Sequence, residues 1–73
     1  ISAIKIEENS NIIGKSLLES DLRNRTGVTL LAIKRAQKIE EHPDLEFIFE
    51  SNDIAFVLGN HEQINRASEI FSI

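Results

Sequence analysis

Lys15, Arg23, Arg25, Lys34 and Arg35 all fall in the stretch from Gly14 to Arg35, with only Glu19 and Asp21 as acids among them. The whole chain has eight Lys and Arg against twelve Asp and Glu. An acidic chain that gathers its cations beside one segment has the charge layout of an anion site; the competing reading is a solvated charged face. Arg23 is the sharpest candidate. Its planar guanidinium can grip a phosphate with two parallel hydrogen bonds. Against that stands a structural role, either as a cation favouring a helix C-terminus or as an i, i+4 partner of Glu19.

Other chemistry is thinner. Gly14-Lys15-Ser16 resembles the end of a phosphate loop, but that motif needs a glycine where this chain has Asn9. Ser16 therefore reads as a helix cap. His42 and His61, the only histidines, lack the spacing of a metal pair. His61 falls in the first turn of a helix and is expected to face solvent. His42, before Pro43, is either a lining residue of a ligand site or an inert loop histidine. No Ser-His-Asp set and no carboxylate pair on an apolar background is present. The run Glu40, Glu41, Asp44 and Glu46 lacks calcium-loop spacing and reads as a solvated loop. Asn24-Arg25-Thr26 matches a glycosylation sequon, but nothing else argues for secretion. The expectation is no enzyme, no catalytic residue and no metal ligand.

Composition narrows the class. Seventy-three residues make one domain with a modest core, of the size that often gains stability from a partner. Hydrophobic content of 41% and charged content of 27% suit a folded soluble domain. A net charge of −4, no Trp or Tyr and four Phe disfavour nucleic-acid binding by phosphate neutralisation or base stacking. The absence of Cys excludes disulfides and suits a reducing compartment. No apolar run approaches the roughly 20 residues of a membrane span. The chain starts at Ile1 within a strand-like segment, and so reads as a fragment, residues 1–73, of a longer protein.

The elements that must position these residues follow from local pattern. Ile1 to Ile6 reads as a strand. Ser16 and Glu19 form an S-x-x-E capping box opening a short helix, with Leu18 and Leu22 on one face. Gly27 is a natural reversal point. Val28 to Arg35 alternates as a strand, with Val28, Leu30, Ala32 and Lys34 on one side and Thr29, Leu31, Ile33 and Arg35 on the other. Apolar residues on both sides predict a strand covered on two faces. Ala36 to Pro43 reads as a polar connection, with Pro43 biasing His42 to an extended conformation. Leu45, Phe47 and Phe49 alternate as a half-buried strand. Ser51 to Asp53 is a turn, and Ile54 to Leu58 a continuous apolar strand stopped by Gly59. Asn60 and Gln63 cap a last helix bearing Ile64, Ala67, Ile70 and Phe71 as its stripe. The expected fold class is α+β, in the order β-α-β-β-β-α, with two helices on a mostly antiparallel sheet.

The residues Ser10, Gly14-Lys15-Ser16-Leu17, Leu22-Arg23, Gly27, Ala32-Ile33-Lys34-Arg35, Pro43, Asp53 and Gly59 together resemble the RCK C-terminal domain, also called TrkA-C. Asn52 departs from the pattern, where the family usually has Gly. The resemblance implies a cytoplasmic regulatory domain that forms a homodimer and is tethered to a membrane potassium channel or transporter, or to a Kef-like cation:proton antiporter. No cofactor is expected, and the glycine-rich dinucleotide motif is absent from the sequence. Some members bind cyclic di-AMP at the two-fold interface. Carried over by position, the ligand-binding residues would be Leu17, Leu18, Asp21, Leu22, Arg23 and Thr29. Binders often carry Asn where this chain has Thr29. Two readings follow: a domain sensing a small anionic ligand such as cyclic di-AMP, or a purely structural dimerisation module with no ligand of its own.

Overall fold

A computed structural model describes residues 1–72. Its elements are β1 (Ser2–Lys5), α1 (Leu17–Ser20), α2 (Leu22–Thr26), β2 (Thr29–Arg35), β3 (Lys38–Glu41), β4 (Ile54–Leu58) and α3 (His61–Phe71). The four strands form one antiparallel sheet in the order β1-β4-β2-β3. The α+β class, the antiparallel sheet and its helices are as expected from the chain. Both capping boxes form. The Glu19 amide donates to Ser16 Oγ at 3.1 Å while the Ser16 amide donates to Glu19 Oε1 at 2.9 Å. At α3 the Gln63 amide donates to Asn60 Oδ1, and the Asn60 amide to Gln63 Oε1, both at 2.8 Å. Each box satisfies N-terminal amides that the helix itself leaves without partners.

The core gathers Ile6, Ile12, Leu22, Val28, Ile33, Phe49, Ala55, Val57, Ala67 and Phe71, all buried. Burying a side chain of the larger kinds here contributes about 1.5–3 kcal/mol. Ala67 and Phe71 enter from α3, with Ile64 and Ile70 packed beside them, which is the stripe its spacing predicts. The turn before β4 also forms as expected, with Asn52 at φ 70°.

Four expectations need correction. The third strand is Lys38–Glu41, not Leu45–Phe49; all four of its residues are exposed, so backbone pairing to β2, and no apolar period, holds it in place. Leu45 to Phe49 instead forms a strap whose Leu45, Phe47 and Phe49 carbonyls accept from the Leu18, Leu17 and Gly14 amides, so its pairing is with the segment around the start of α1 and not with the sheet. His42 is left-handed at φ 49°, not extended, and its amide donates to Leu31 O at 3.1 Å. The helix after Ser16 breaks at Asp21, which adopts φ 51°, ψ 36°. Leu22 consequently enters the core while Leu18 stays 64% exposed, so the two do not share a buried face.

The last correction concerns β2. Its register with β4 shifts between Leu30 and Ala32. A bulge adds one residue and reverses the alternation beyond it. Leu30, opposite Val57, and Ile33, opposite Ala55, therefore both face the core. The sheet buries one face, not two; the other carries exposed Lys34, Ile39 and Leu58.

Candidate functional site

The break at Asp21 and the reversal at Gly27 shape the site. Gly27 lies at φ 88°, and its amide closes α2 on Arg23 O at 2.7 Å. The chain thus returns from α2 directly into β2, setting Arg23 and Thr29 on the two sides of one depression. This groove, of about 260 Å³, is lined by Leu17, Leu18, Asp21, Leu22, Arg23 and Thr29, together with Val28, Leu30 and Leu45. All six positions carried over from the family resemblance meet there. Sequence reasoning did not pick out Val28, Leu30 or Leu45 as lining residues. Leu45 reaches the groove only because the strap lies against α1, an arrangement with no local signature.

The groove is mostly apolar, with Leu18 at 64% and Leu45 at 55% exposure on it. Its charged members are Asp21 and Arg23. Asp21 Oδ1 accepts from Asn24 Nδ2 at 2.9 Å. Arg23 makes no ion pair among the described residues; those found are Arg35 with Glu50 and Asp53, and Arg66 with Glu62. The i, i+4 pair of Arg23 with Glu19 is not formed. Glu19 is held by its cap instead: the Ser16 backbone amide, then the Ser16 hydroxyl, lower its carboxyl below the usual glutamate value.

The other cations disperse. Arg25 Nη1 donates to Ser20 O at 3.2 Å. Arg35 is the hub of a separate cluster. Its Nε and Nη2 donate to Asp53 Oδ1 and Oδ2 at 2.8 and 2.7 Å, Nη2 also donates to Ile48 O at 2.8 Å, and Nη1 lies 3.3 Å from Glu50 Oε2. Its guanidinium carbon sits 4.8 Å from the Phe47 ring centroid. The hydrogen bonds to Asp53, ahead of the opposing effect of burial, raise Arg35 above its ordinary value. Asp53 is 1% exposed and also accepts the Glu50 amide at 2.9 Å. The single cationic stretch read from sequence is thus two structures, a groove with Arg23 and a half-exposed clamp in which Arg35 is held by the buried Asp53.

His42 and His61 are exposed, and neither lines the groove. Glu40 and Glu41 are on β3, and Asp44 Oδ1 accepts the Glu46 amide at 3.1 Å. Among the described residues no three His, Asp or Glu side chains converge on one point, and no helix is long and apolar enough to cross a membrane.

Comparison with known proteins places this geometry. The model of the TrkA-C domain matches residues 1–72. The "Probable potassium channel protein 2" of Methanocaldococcus jannaschii is 34% identical over 59 residues, covering 81% of this chain and 17% of that protein. The "Ktr system potassium uptake protein C" of Bacillus subtilis is 32% identical over 65 residues, covering 89% of this chain and 29% of that protein. The chain therefore spans less than a third of the length of either relative. Among solved structures, the RCK_C domain dimer of S. agalactiae BusR in complex with c-di-AMP superposes with a TM-score of 0.91 at 28% identity, covering 96% of this chain and 86% of that one. The RCK C domain of the potassium transport protein KtrA, also in complex with c-di-AMP, gives 0.80 at 25% identity, covering 93% and 80%. A longer BusR chain, of which the match covers 34%, is solved in complex with its busAB-promotor DNA.

Proposed function

The chain belongs to the TrkA-C (RCK_C) family, and from that premise we propose that it is the cytoplasmic regulatory domain of a potassium channel, transporter or cation:proton antiporter, sensing a small anionic ligand at a homodimer interface. The proposed ligand is cyclic di-AMP. The observation that carries the reading is the convergence of Leu17, Leu18, Asp21, Leu22, Arg23 and Thr29 on one open groove in which the Arg23 guanidinium has no carboxylate partner among the described residues. A two-fold axis beside that groove would present two arginines to the two phosphates of a symmetric dinucleotide, and the leucines to its bases. Ligand bound between subunits favours one arrangement of the dimer and so biases the attached gate. The BusR and KtrA complexes support the same ligand class. The DNA partner of BusR is not carried over, since a chain of net charge −4 is poorly suited to neutralising phosphates.

Isothermal titration of the domain with cyclic di-AMP, with sedimentation of the same sample, tests this. One ligand per two chains, with binding lost in Arg23→Glu and the dimer retained, is the expected result. A dimer that gives no heat rejects cyclic di-AMP sensing and leaves a structural dimerisation module.

A further inference from the structure

The strap from Leu45 to Phe49 carries one wall of the groove. Four backbone hydrogen bonds tie it to the segment leading into α1. Gly14 N donates to Phe49 O at 2.9 Å, Phe49 N to Lys15 O at 3.0 Å, Leu17 N to Phe47 O at 2.8 Å and Leu18 N to Leu45 O at 3.0 Å. Leu17, Leu18 and Leu45 are therefore tied to one another through the backbone. The facing wall is Val28, just before β2, with Thr29 and Leu30 at the start of β2. The distance between the walls depends on what joins the strap to the sheet.

Phe49 anchors the end of the strap in the core, against Phe71. Between Phe49 and Leu45 the polar link to the sheet is Arg35, from the far end of β2. It reaches Ile48 O, lies over the Phe47 ring and is itself held on both sides of the Asp53 carboxylate. Phe47 packs edge-on to Phe49 and against the core, but a second groove of about 320 Å³, lined by Ile33, Arg35, Lys38, Ile39, Glu40 and Phe47, opens beside this link, so the packing there is incomplete and Arg35 adds the polar tie. Resting on the groove assignment above, we infer that Arg35, fixed by Asp53, is a positioning residue for the groove. It clamps the strap to β2 and so sets the spacing between the Leu17, Leu18 and Leu45 wall and the Thr29 wall.

Site-resolved amide hydrogen exchange of the dimeric domain decides this without any ligand. The double variant Arg35→Gln/Asp53→Asn leaves no unpaired buried charge. In it, Leu17 and Leu18 amides should exchange at least about tenfold faster relative to the β2–β4 ladder amides, a selective local opening. Arg35→Lys keeps the charge, but a point-like ammonium lacks the planar fork that spans Asp53 and Ile48 O, so it should show the same selective loss. Uniform acceleration across all amides, unchanged Leu17 and Leu18, or full protection in Arg35→Lys would each overturn the clamp. Titration of the same variants with cyclic di-AMP should show weaker binding. If the unmodified domain binds none, the ligand reading fails while the exchange pattern still decides the clamp.

Discussion

Gly27 joins the element that carries Arg23 to the strand that carries Thr29, and replacing it tests how tightly that junction is built. A Cβ at Gly27 would lie 2.6 Å from Gln63 Nε2 and 3.1 Å from Gln63 Cδ and Cγ, at a backbone φ of 88°. Gly14 is the natural control, with φ 84° and nothing within 4 Å of its Cβ position. An L-residue in the left-handed region costs about 1–2 kcal/mol, and the stiffer unfolded chain returns about 0.4–1 kcal/mol. Gly14→Ala should therefore lose about 1 kcal/mol. Gly27→Ala carries the same backbone cost and must also push Gln63 aside, which breaks the bond from Asn60 N to Gln63 Oε1. One such bond is worth about 1 kcal/mol, so the loss should be about 2 kcal/mol. For a domain this small that corresponds to falls in Tm of about 5 °C and about 10 °C. Thermal unfolding at one fixed protomer concentration gives both values, since the proposed dimer would make Tm concentration-dependent. In a Gln63→Ala background the gap between the two glycine variants should close, because all three nearest atoms belong to Gln63. A gap that persists there would refute the steric account.

Three further outcomes are expected. Phe71→Ala, at a fully buried site packed on Phe49, should cost about 3–5 kcal/mol by urea denaturation; that is much of the roughly 4–11 kcal/mol typical of this length, and a loss under about 1 kcal/mol would contradict the packing. Glu19 has a folded value below the usual 4.5, so the unfolded state binds the extra proton; its stabilising contribution is present above about pH 4.5 and fades as pH falls through the lower folded value. Glu19→Gln should therefore make urea midpoints less sensitive to acidification below pH 4.5, and an unchanged pH profile would count against the capping box as the cause. Thr29→Asn adds an amide that reaches further into the groove, and should tighten cyclic di-AMP binding measured by calorimetry; weaker binding would place the ligand elsewhere.

Much of this molecule is written in short-range signals. Ser16 with Glu19 and Asn60 with Gln63 announce both capping boxes, because a cap needs only residues three apart. The apolar run of β4 and the stripe of α3 declare their elements, since burial imposes their periods directly. The six groove positions were also legible, through resemblance to a family that uses them together. What the chain alone did not reveal depends on groups far apart in sequence. Lys38–Glu41 forms a strand solely because β2 offers it an open edge, and an exposed edge strand has no apolar period to betray it. The real alternation of Leu45, Phe47 and Phe49 serves the strap, whose carbonyls at those three positions are taken by the Leu18, Leu17 and Gly14 amides and not by a sheet neighbour. The bulge at Leu31 reverses a strand whose own pattern looks regular, because register is decided by the partner strand. Asp53 meets Arg35 across 18 residues, and only the closed sheet brings the buried carboxylate to its arginine. Local chemistry thus determined the helix starts and the turn before β4, and the family resemblance supplied six of the groove residues. Tertiary contacts decided which strand pairs, which face is buried and which arginine stays free, because long-range partners must compete for each backbone group and each charge.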